Sequence, residues 1–428
     1  MSVCTASSST RRRRLSLFSI ILVALIAAGC GDSGDGKPAF ITVVPESVVV
    51  PISTVVPTDA TTTTIKPTLN LDGVCSNPVV VQLDSSLDLF ALPYVHLLAD
   101  SGSGTTTSFR APLLNPQNGS PTGIDLELRT AGGVSVGGME KADSVLGDTA
   151  VLFTTTNINE VLPVTAGHPV IVAAPWAQTD VALQWDAKTP AMRTIADIAG
   201  SVLTNPTLDQ AAADYLIGAR LLPDPAKAKA LRPDIKDVPS GSTASLVHLL
   251  DFPQAAQAMT SNEGLGVKAQ PLSDVGWEPY PHVVVVSQTS AKERGDCLRA
   301  VVPLLQYSIL RLSVEPRRSV LKLARIAEQM GLAFDQERLS GQLRGAIDLE
   351  MLAVGTPASP IAGDPSLARL LQIARSQKTR SLLRSPSLKL PPDLAKELEP
   401  LVNRSFIDSD MKYTIRDKPD FGQADSAP

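Results

Sequence analysis

Short apolar runs, parted by turns and helical stretches, recur through the middle of this 428-residue chain, and that rhythm constrains the fold more than any other feature. Val79-Val80-Val81-Gln82-Leu83 is a near-continuous apolar run closing on Asp84, the pattern of a strand buried on both faces. Ile124, Leu126 and Leu128 alternate with Asp125, Glu127 and Arg129, which describes a half-exposed strand. Thr149–Phe153, Pro169–Ala174, Val181–Gln184, Val202–Thr204 and His282–Ser287 are further strand candidates. Helices are expected over Leu87–Ala99, with Pro93 interrupting it, over Thr243–Leu250 and over Pro253–Ala258. Thr207-Leu208-Asp209-Gln210 reads as a capping box opening a helix to Leu221. Asp100–Thr122, rich in Gly, Ser, Thr and Pro, reads as a long surface loop. Strands alternating with helices imply an α/β sheet rather than a bundle. After Cys297 the pattern turns helical, with Leu298–Leu312, Ser319–Met330, Arg338–Leu352 and Pro391–Asn403 as helices. The basic run Gln377–Arg384 is read as a solvated face.

The beginning of the chain bears on compartment. Four arginines, Arg11–Arg14, precede the apolar run Leu15–Ala28, which ends in Ala27-Ala28-Gly29-Cys30. A basic region, a short apolar core and small residues before a cut form an export signal. The run is too short for a membrane span, which needs about 20 apolar residues, and no later apolar run is expected to reach that length. The cysteine after small residues resembles the lipobox of bacterial lipoproteins, with Ala27 where leucine is usual. That resemblance implies a signal peptide over 1–29, a lipid on Cys30, and an extracytoplasmic protein anchored to the bacterial cell membrane. Residues 30–77, rich in Thr, Pro, Val and Ser and broken by prolines at 45, 51, 57 and 67, read as an extended tether.

A net charge of −5 offers no basic field for nucleic acid. With Cys4 and Cys30 in the signal region, Cys75 and Cys297 remain. An oxidising compartment permits them to pair, and two separate thiols are the alternative. The four histidines, His96, His168, His248 and His282, have no metal-ligand spacing, so neither a metal nor a cofactor is expected.

Several segments, taken in order, resemble the solute-binding proteins of ABC importers, in the family that carries thiamine-precursor pyrimidines, sulfonates, taurine or nitrate. Val79-Val80-Val81-Gln82-Leu83-Asp84 looks like that family's first strand and Ala131-Gly132-Gly133 like its glycine loop. Leu146-Gly147-Asp148-Thr149-Ala150 is similar to its step into the next strand, and Thr194–Gly200 to the step that introduces the second lobe. Thr260-Ser261-Asn262-Glu263 matches the Asn-Glu pair of the thiamine-precursor branch, and His282–Ser287 the strand returning to the first lobe. Relatives place a tryptophan after the first-strand Asp; Ser85 and Ser86 stand there instead.

The resemblance implies a two-lobe type II periplasmic-binding-protein-like α/β fold with a helical C-terminal extension. Lobe 1 would comprise 78–165 and 280–428, and lobe 2 166–279. The implied function is capture of a small polar solute, of the thiamine-precursor, sulfonate or nitrate class, by a monomer that delivers it to an ABC permease without covalent chemistry.

Ligand contacts are expected where helix N-termini and strand ends face the cleft. The candidates are Asp84 at the end of the first strand, the backbone of Gly132 and Gly133, and the hydroxyls of Thr154 and Thr155 just past a strand. Trp176, beside the crossover, could stack on a planar ligand. Thr207 heads a helix, and Asn262 with Glu263 could pair with an amino-substituted heterocycle. Trp277, Glu278 and Tyr280, in the turn before the return strand, could close the pocket.

Two alternatives compete. Gly133-Val134-Ser135-Val136-Gly137 fits G-x-S-x-G, and Asp251 with His282 would complete a triad in hydrolase order. That reading gives a lipid-anchored esterase using Ser135. The other alternative keeps the two-lobe fold in a scaffold or sensor lipoprotein that does not transport.

Overall fold

The structure is a computed structural model. It describes residues 69–84, 86–130, 146–162, 169–188, 194–197, 202–204, 210–221, 228–230, 244–251, 266–354, 361–384 and 393–411. The signal region, Cys30 and the tether up to residue 68 lie outside these residues.

The first sheet has seven strands. β1 (Val79–Gln82) lies between β4 (Pro121–Arg129) and β5 (Val151–Thr156), parallel to both. β2 (Ser103–Gly104) and β3 (Ser108–Leu114) extend the sheet antiparallel beyond β4. On the other side, β6 (Pro169–Ala173) forms the far edge. A strand from late in the sequence, β12 (Val283–Ser287), is inserted between β5 and β6, antiparallel to both. Its Val283-Val284-Val285-Val286 run is buried throughout, as an interior strand covered on both faces requires.

The second sheet has five strands. β8 (Val202–Thr204) lies between β9 (Ala228–Ala230) and β10 (Ala244–His248), parallel to both. β7 (Val181–Asp186) runs antiparallel between β10 and β11 (Val267–Pro271). Set side by side, β4-β1-β5-β12-β6 and β9-β8-β10-β7-β11 are one topology used twice. In each sheet the antiparallel next-to-edge strand is the one by which the chain arrives from the other lobe.

The short helices α1 (Leu92–Val95) and α2 (Ile158–Val161) belong to the first lobe, and α3 (Gln210–Gly218) to the second. After β12 come α4 (Gln288–Glu293), α5 (Gly295–Val314), α6 (Pro316–Gln329), α7 (Gln336–Asp348), α8 (Leu367–Arg384) and α9 (Leu394–Leu398). The largest core joins β1, β3, β4 and β5 to one face of α5, α6 and α7, through residues such as Leu126, Phe153, Leu305, Leu323 and Leu343. Helix α5 is long and apolar enough to cross a bilayer, contrary to the sequence expectation, but most of it is buried within the protein. A disulfide joins Cys75, ahead of β1, to Cys297 in α5, with Cα atoms 4.9 Å apart. A separate core, holding Leu183, Trp185, Leu216 and Leu246, fills the second lobe.

Four expectations are corrected. Residues 100–122, expected as a loop, hold β2, β3 and the start of β4; Pro112 is tolerated because β3 lies toward the sheet's edge, with only the two-residue β2 beyond it. Ala244–His248, expected as helix, is the strand β10 at the centre of its sheet. The helix expected over Leu87–Ala99 shrinks to a 3-10 turn, Leu89–Ala91, and α1, because Pro93 lies in the first turn of α1. β6, placed in the second lobe by the 166–279 boundary, pairs with β12 in the first sheet, so the chain crosses later, between Ala173 and Val181.

Candidate functional site

Both crossings run beside a cleft of about 540 Å³ whose walls come from the two lobes. The first lobe supplies the segment after β1 (Ser86–Phe90), the segment after β5 (Asn157 and Asn159), His282 just before β12, and the start of α7. The second supplies Thr179 and Asp180 just before β7, and His248 and Asp251 at the end of β10. Every sheet-derived group therefore sits at the carboxyl ends of parallel strands or the amino end of the antiparallel one. That is where open α/β sheets hold ligands.

Each lobe holds an aspartate–histidine pair beside its crossing strand. In the first, His282 Nδ1 lies 3.2 Å from Asp84 Oδ2. The Thr155 hydroxyl donates to Asp84 Oδ1 and accepts the Asp84 backbone N–H, each at 3.2 Å. In the second, His248 Nδ1 lies 3.0 Å from Asp180 Oδ1. The residue preceding each crossing strand thus lies against a partner near the end of a parallel strand of the same sheet: His282 against Asp84 after β1, two strands away, and Asp180 against His248 of the adjacent β10. The His282 ring also stacks on Phe90, with centroids 3.7 Å apart and planes 22° from parallel. Phe90 in turn meets Trp176 edge-on at 5.4 Å.

Across the mouth, α7 reaches the second lobe. Arg338 Nη2 and Gln342 Nε2 both donate to Asp251 Oδ1, at 2.7 Å and 2.9 Å. The hydrogen bond to Asp251 raises the Arg338 guanidinium pKa above its usual value. Beneath the crossings, Arg369 of α8 donates to the carbonyls of Glu278 and Pro279 and lies 4.0 Å over the Tyr280 ring.

The sequence-derived candidates fare unevenly. Asp84 and Thr155 are brought together against His282. Thr154 and Thr155 lie within β5 rather than past it, paired with β12, and Thr154 donates to the Gln82 carbonyl. Trp176 is wholly buried and lies in the first lobe's core, so Phe90, not Trp176, presents a ring to the cleft. Tyr280 is buried, its hydroxyl accepting the Ser366 N–H at 2.9 Å; burial pushes its pKa up. Trp277 does line the cleft, whereas the Glu278 carbonyl is taken by Arg369. Gly132, Gly133, Ser135, Thr207, Asn262 and Glu263 lie outside the described residues. The Asp251–His282 pair of the hydrolase alternative is not formed: Asp84 holds the imidazole, and Asp251 is bound by Arg338 and Gln342. Phe90, Asp180, His248 and α7 were not foreseen as cleft residues. The available signal was positional, a charged or ring side chain directly before each strand that enters from the other lobe.

No family model and no curated protein sequence matches the chain. Among solved structures it is similar to the periplasmic aliphatic sulphonate binding protein of Escherichia coli, at 13% identity over 72% of this chain and 87% of that one, with a TM-score of 0.40. It is also similar to the Candida albicans CA3427 gene product, described as having the generic periplasmic binding protein fold, at 10% identity over 78% and 98% of the two chains, with a TM-score of 0.44. A third similar structure is the desulfurization enzyme DSZB, at 12% identity over 77% and 97%, with a TM-score of 0.36. The chain's own doubled strand order, two crossings and interlobe cleft give it the two-lobe α/β fold of the type II periplasmic binding proteins.

Proposed function

We propose that this chain is an extracytoplasmic solute-binding lipoprotein that captures a small polar molecule and hands it to an ABC permease. The observation that carries the reading is the cleft, walled by both lobes and crossed beside its floor by the two chain segments that join them. Two lobes hinged in this way close on a guest, and each contributes half of its surroundings. Function is then capture, closure and release, and affinity is set by the closed form. On this reading the amino-terminal 29 residues direct export, Cys30 carries the lipid, and the residues from there to 68 tether the body to the membrane. The expected tether bound of 77 is too late, because Leu71 is buried in the first lobe's core and Cys75 is bonded to Cys297.

The test is a thermal-shift screen against pyrimidines, sulfonates, nitrate, amines and amino acids, with small-angle scattering on every hit. A true solute at a hundred times its dissociation constant adds about 2.7 kcal/mol of stability and reduces the radius of gyration. Stabilisation without any change in dimensions would favour a scaffold or sensor of the same fold. Radiolabelled fatty acid incorporated in cells, and lost in Cys30→Ala, tests the anchor.

A further inference from the structure

Resting on the capture reading above, we propose that the C-terminal extension regulates this cleft. Residues 351–372 clamp both crossings, and α8, a third link between the lobes, sets how far apart they stand when no solute is bound.

The two crossings are held by different devices from the same stretch of chain. On the first, after β6, the backbone makes the grip. Ala174 N–H donates to the Gly363 carbonyl at 2.8 Å and Ala177 N–H to the Met351 carbonyl at 2.6 Å, while Ala353 N–H donates to the Pro175 carbonyl at 2.9 Å. Trp176 and Leu352 stand opposite one another in an antiparallel bridge. On the second crossing, ahead of β12, side chains make the grip. Arg369 donates from Nε to the Glu278 carbonyl at 2.6 Å and from Nη2 to the Pro279 carbonyl at 3.1 Å. Gln372 Nε2 donates to the Gly276 carbonyl at 3.0 Å. A planar guanidinium fork holds two successive carbonyls at once, whereas an ammonium is a single point of charge on a flexible stem.

Helix α8 also reaches both lobes through its packing. Leu370 and Ile373 are buried with Ile171 of β6 and with Val283 and Val285 of β12, and the helix packs against α3 of the second lobe. Movement of one lobe relative to the other therefore has to slide α8 over α3 or draw the second crossing away from Arg369 and Gln372. Unclamped crossings act as plain hinges, while packed helices move by small shear steps. The clamp thus biases the balance between open and closed forms of the empty protein. That balance scales the apparent affinity for any solute, because only the fraction able to close holds the guest. Met351, Gly363, Arg369 and Gln372 are not among the residues lining the cleft, so affinity is tuned here without altering the groups that meet the solute.

The experiment measures the interlobe distance in the full, solute-free chain by double electron–electron resonance. With Cys4 and Cys30 replaced by serine, the spin labels are carried by Thr106→Cys, in the exposed turn between β2 and β3, and Lys188→Cys, exposed after β7. Three further substitutions are compared in that background. Arg369→Lys keeps the charge and loses the fork, and Gln372→Ala loses the bond to Gly276. Arg404→Lys, which alters an ion pair with Asp364 elsewhere in the extension, is the control. The expected result is a broader distance distribution with a shifted mean in Arg369→Lys and Gln372→Ala, both still melting as folded proteins, and no change in Arg404→Lys. If Arg369→Lys does not fold, Gln372→Ala decides. Distributions identical to the parent in the folded clamp variants, or equal broadening in Arg404→Lys, would overturn the proposal. No solute is added, so this outcome is separate from the capture reading, which falls instead if the screen finds no compacting solute.

Discussion

His96 lets the packing of the first lobe be tested through pH. It is 6% exposed, at the end of α1 where that helix packs on α5 and α6, with Nε2 2.7 Å from the Ser319 hydroxyl on α6. Burial, reinforced by the nearby Arg311 guanidinium, lowers its pKa from 6.5 to about 3. The folded protein therefore keeps this imidazole neutral, while the unfolded chain binds a proton below pH 6.5. A depressed folded value means the contribution is fully present above the unfolded pKa and is lost as pH falls from 6.5 toward 3. At pH 5 the unfolded state has gained roughly 1.5 pH units of proton binding, equal to about 2 kcal/mol. His96→Gln keeps a side-chain amide able to reach Ser319 and does not titrate. Urea unfolding of both proteins at pH 7 and pH 5 isolates the histidine, since the other titrating groups are shared. The wild type should lose about 2 kcal/mol more than the variant on going to pH 5. Equal losses in the two proteins would refute the account of a histidine held neutral by burial.

Three further predictions follow from particular contacts. Replacing Cys75 and Cys297 by alanine reopens a sequence separation of 222 residues, for which chain entropy sets a loss of about 5 kcal/mol in denaturant unfolding; a loss below about 1 kcal/mol would show that the unfolded chain gains little freedom. Trp176→Ala should cost about 3–5 kcal/mol in the same assay, as for a large core ring; unchanged stability with solute binding abolished would instead place the ring in the cleft. Asp251→Ala frees Arg338 and Gln342 across the cleft mouth. Because the ion pair is largely exposed, stability should change by no more than about 1 kcal/mol, while scattering shows a wider solute-free protein; identical profiles would deny it a latch role.

What was legible in the sequence is what burial on both faces makes legible. β1, β5, β6, β7 and β12 are runs of valine, leucine, alanine and threonine with few polar breaks, and all five were placed to within a few residues. β10 was misread because Ala-Ser-Leu-Val-His has too little alternation to separate a strand from a buried helical turn; its pairing with β7 and β8 decides it. β3 was hidden by Pro112 and by the Gly, Ser and Thr residues before it, which signal a loop unless a neighbouring strand is there to pair with. Asp84 and Thr155 were named for their expected places at strand ends, and the structure brings both against His282, with Thr155 inside β5. Trp176 was assigned to the cleft from its place beside the crossover, yet the ring turns inward under Phe90. Sequence position gives distance along a strand but not the direction of a side chain once the chain leaves it. The aspartate–histidine pairs were invisible for a related reason: each spans a long stretch of chain and forms only when strands of one sheet are brought together.

The sulfur bridge between Cys75 and Cys297 has a mechanical meaning. All of β1 through β12, and so the whole second lobe, lies on the stretch of chain it encloses. A protease that nicks an exposed turn there leaves two pieces still fastened to one another, separable only by a reductant. A tug on the segment ahead of Cys75 is likewise passed into the long helix that carries Cys297, and so into the first lobe's core, without drawing on the second lobe.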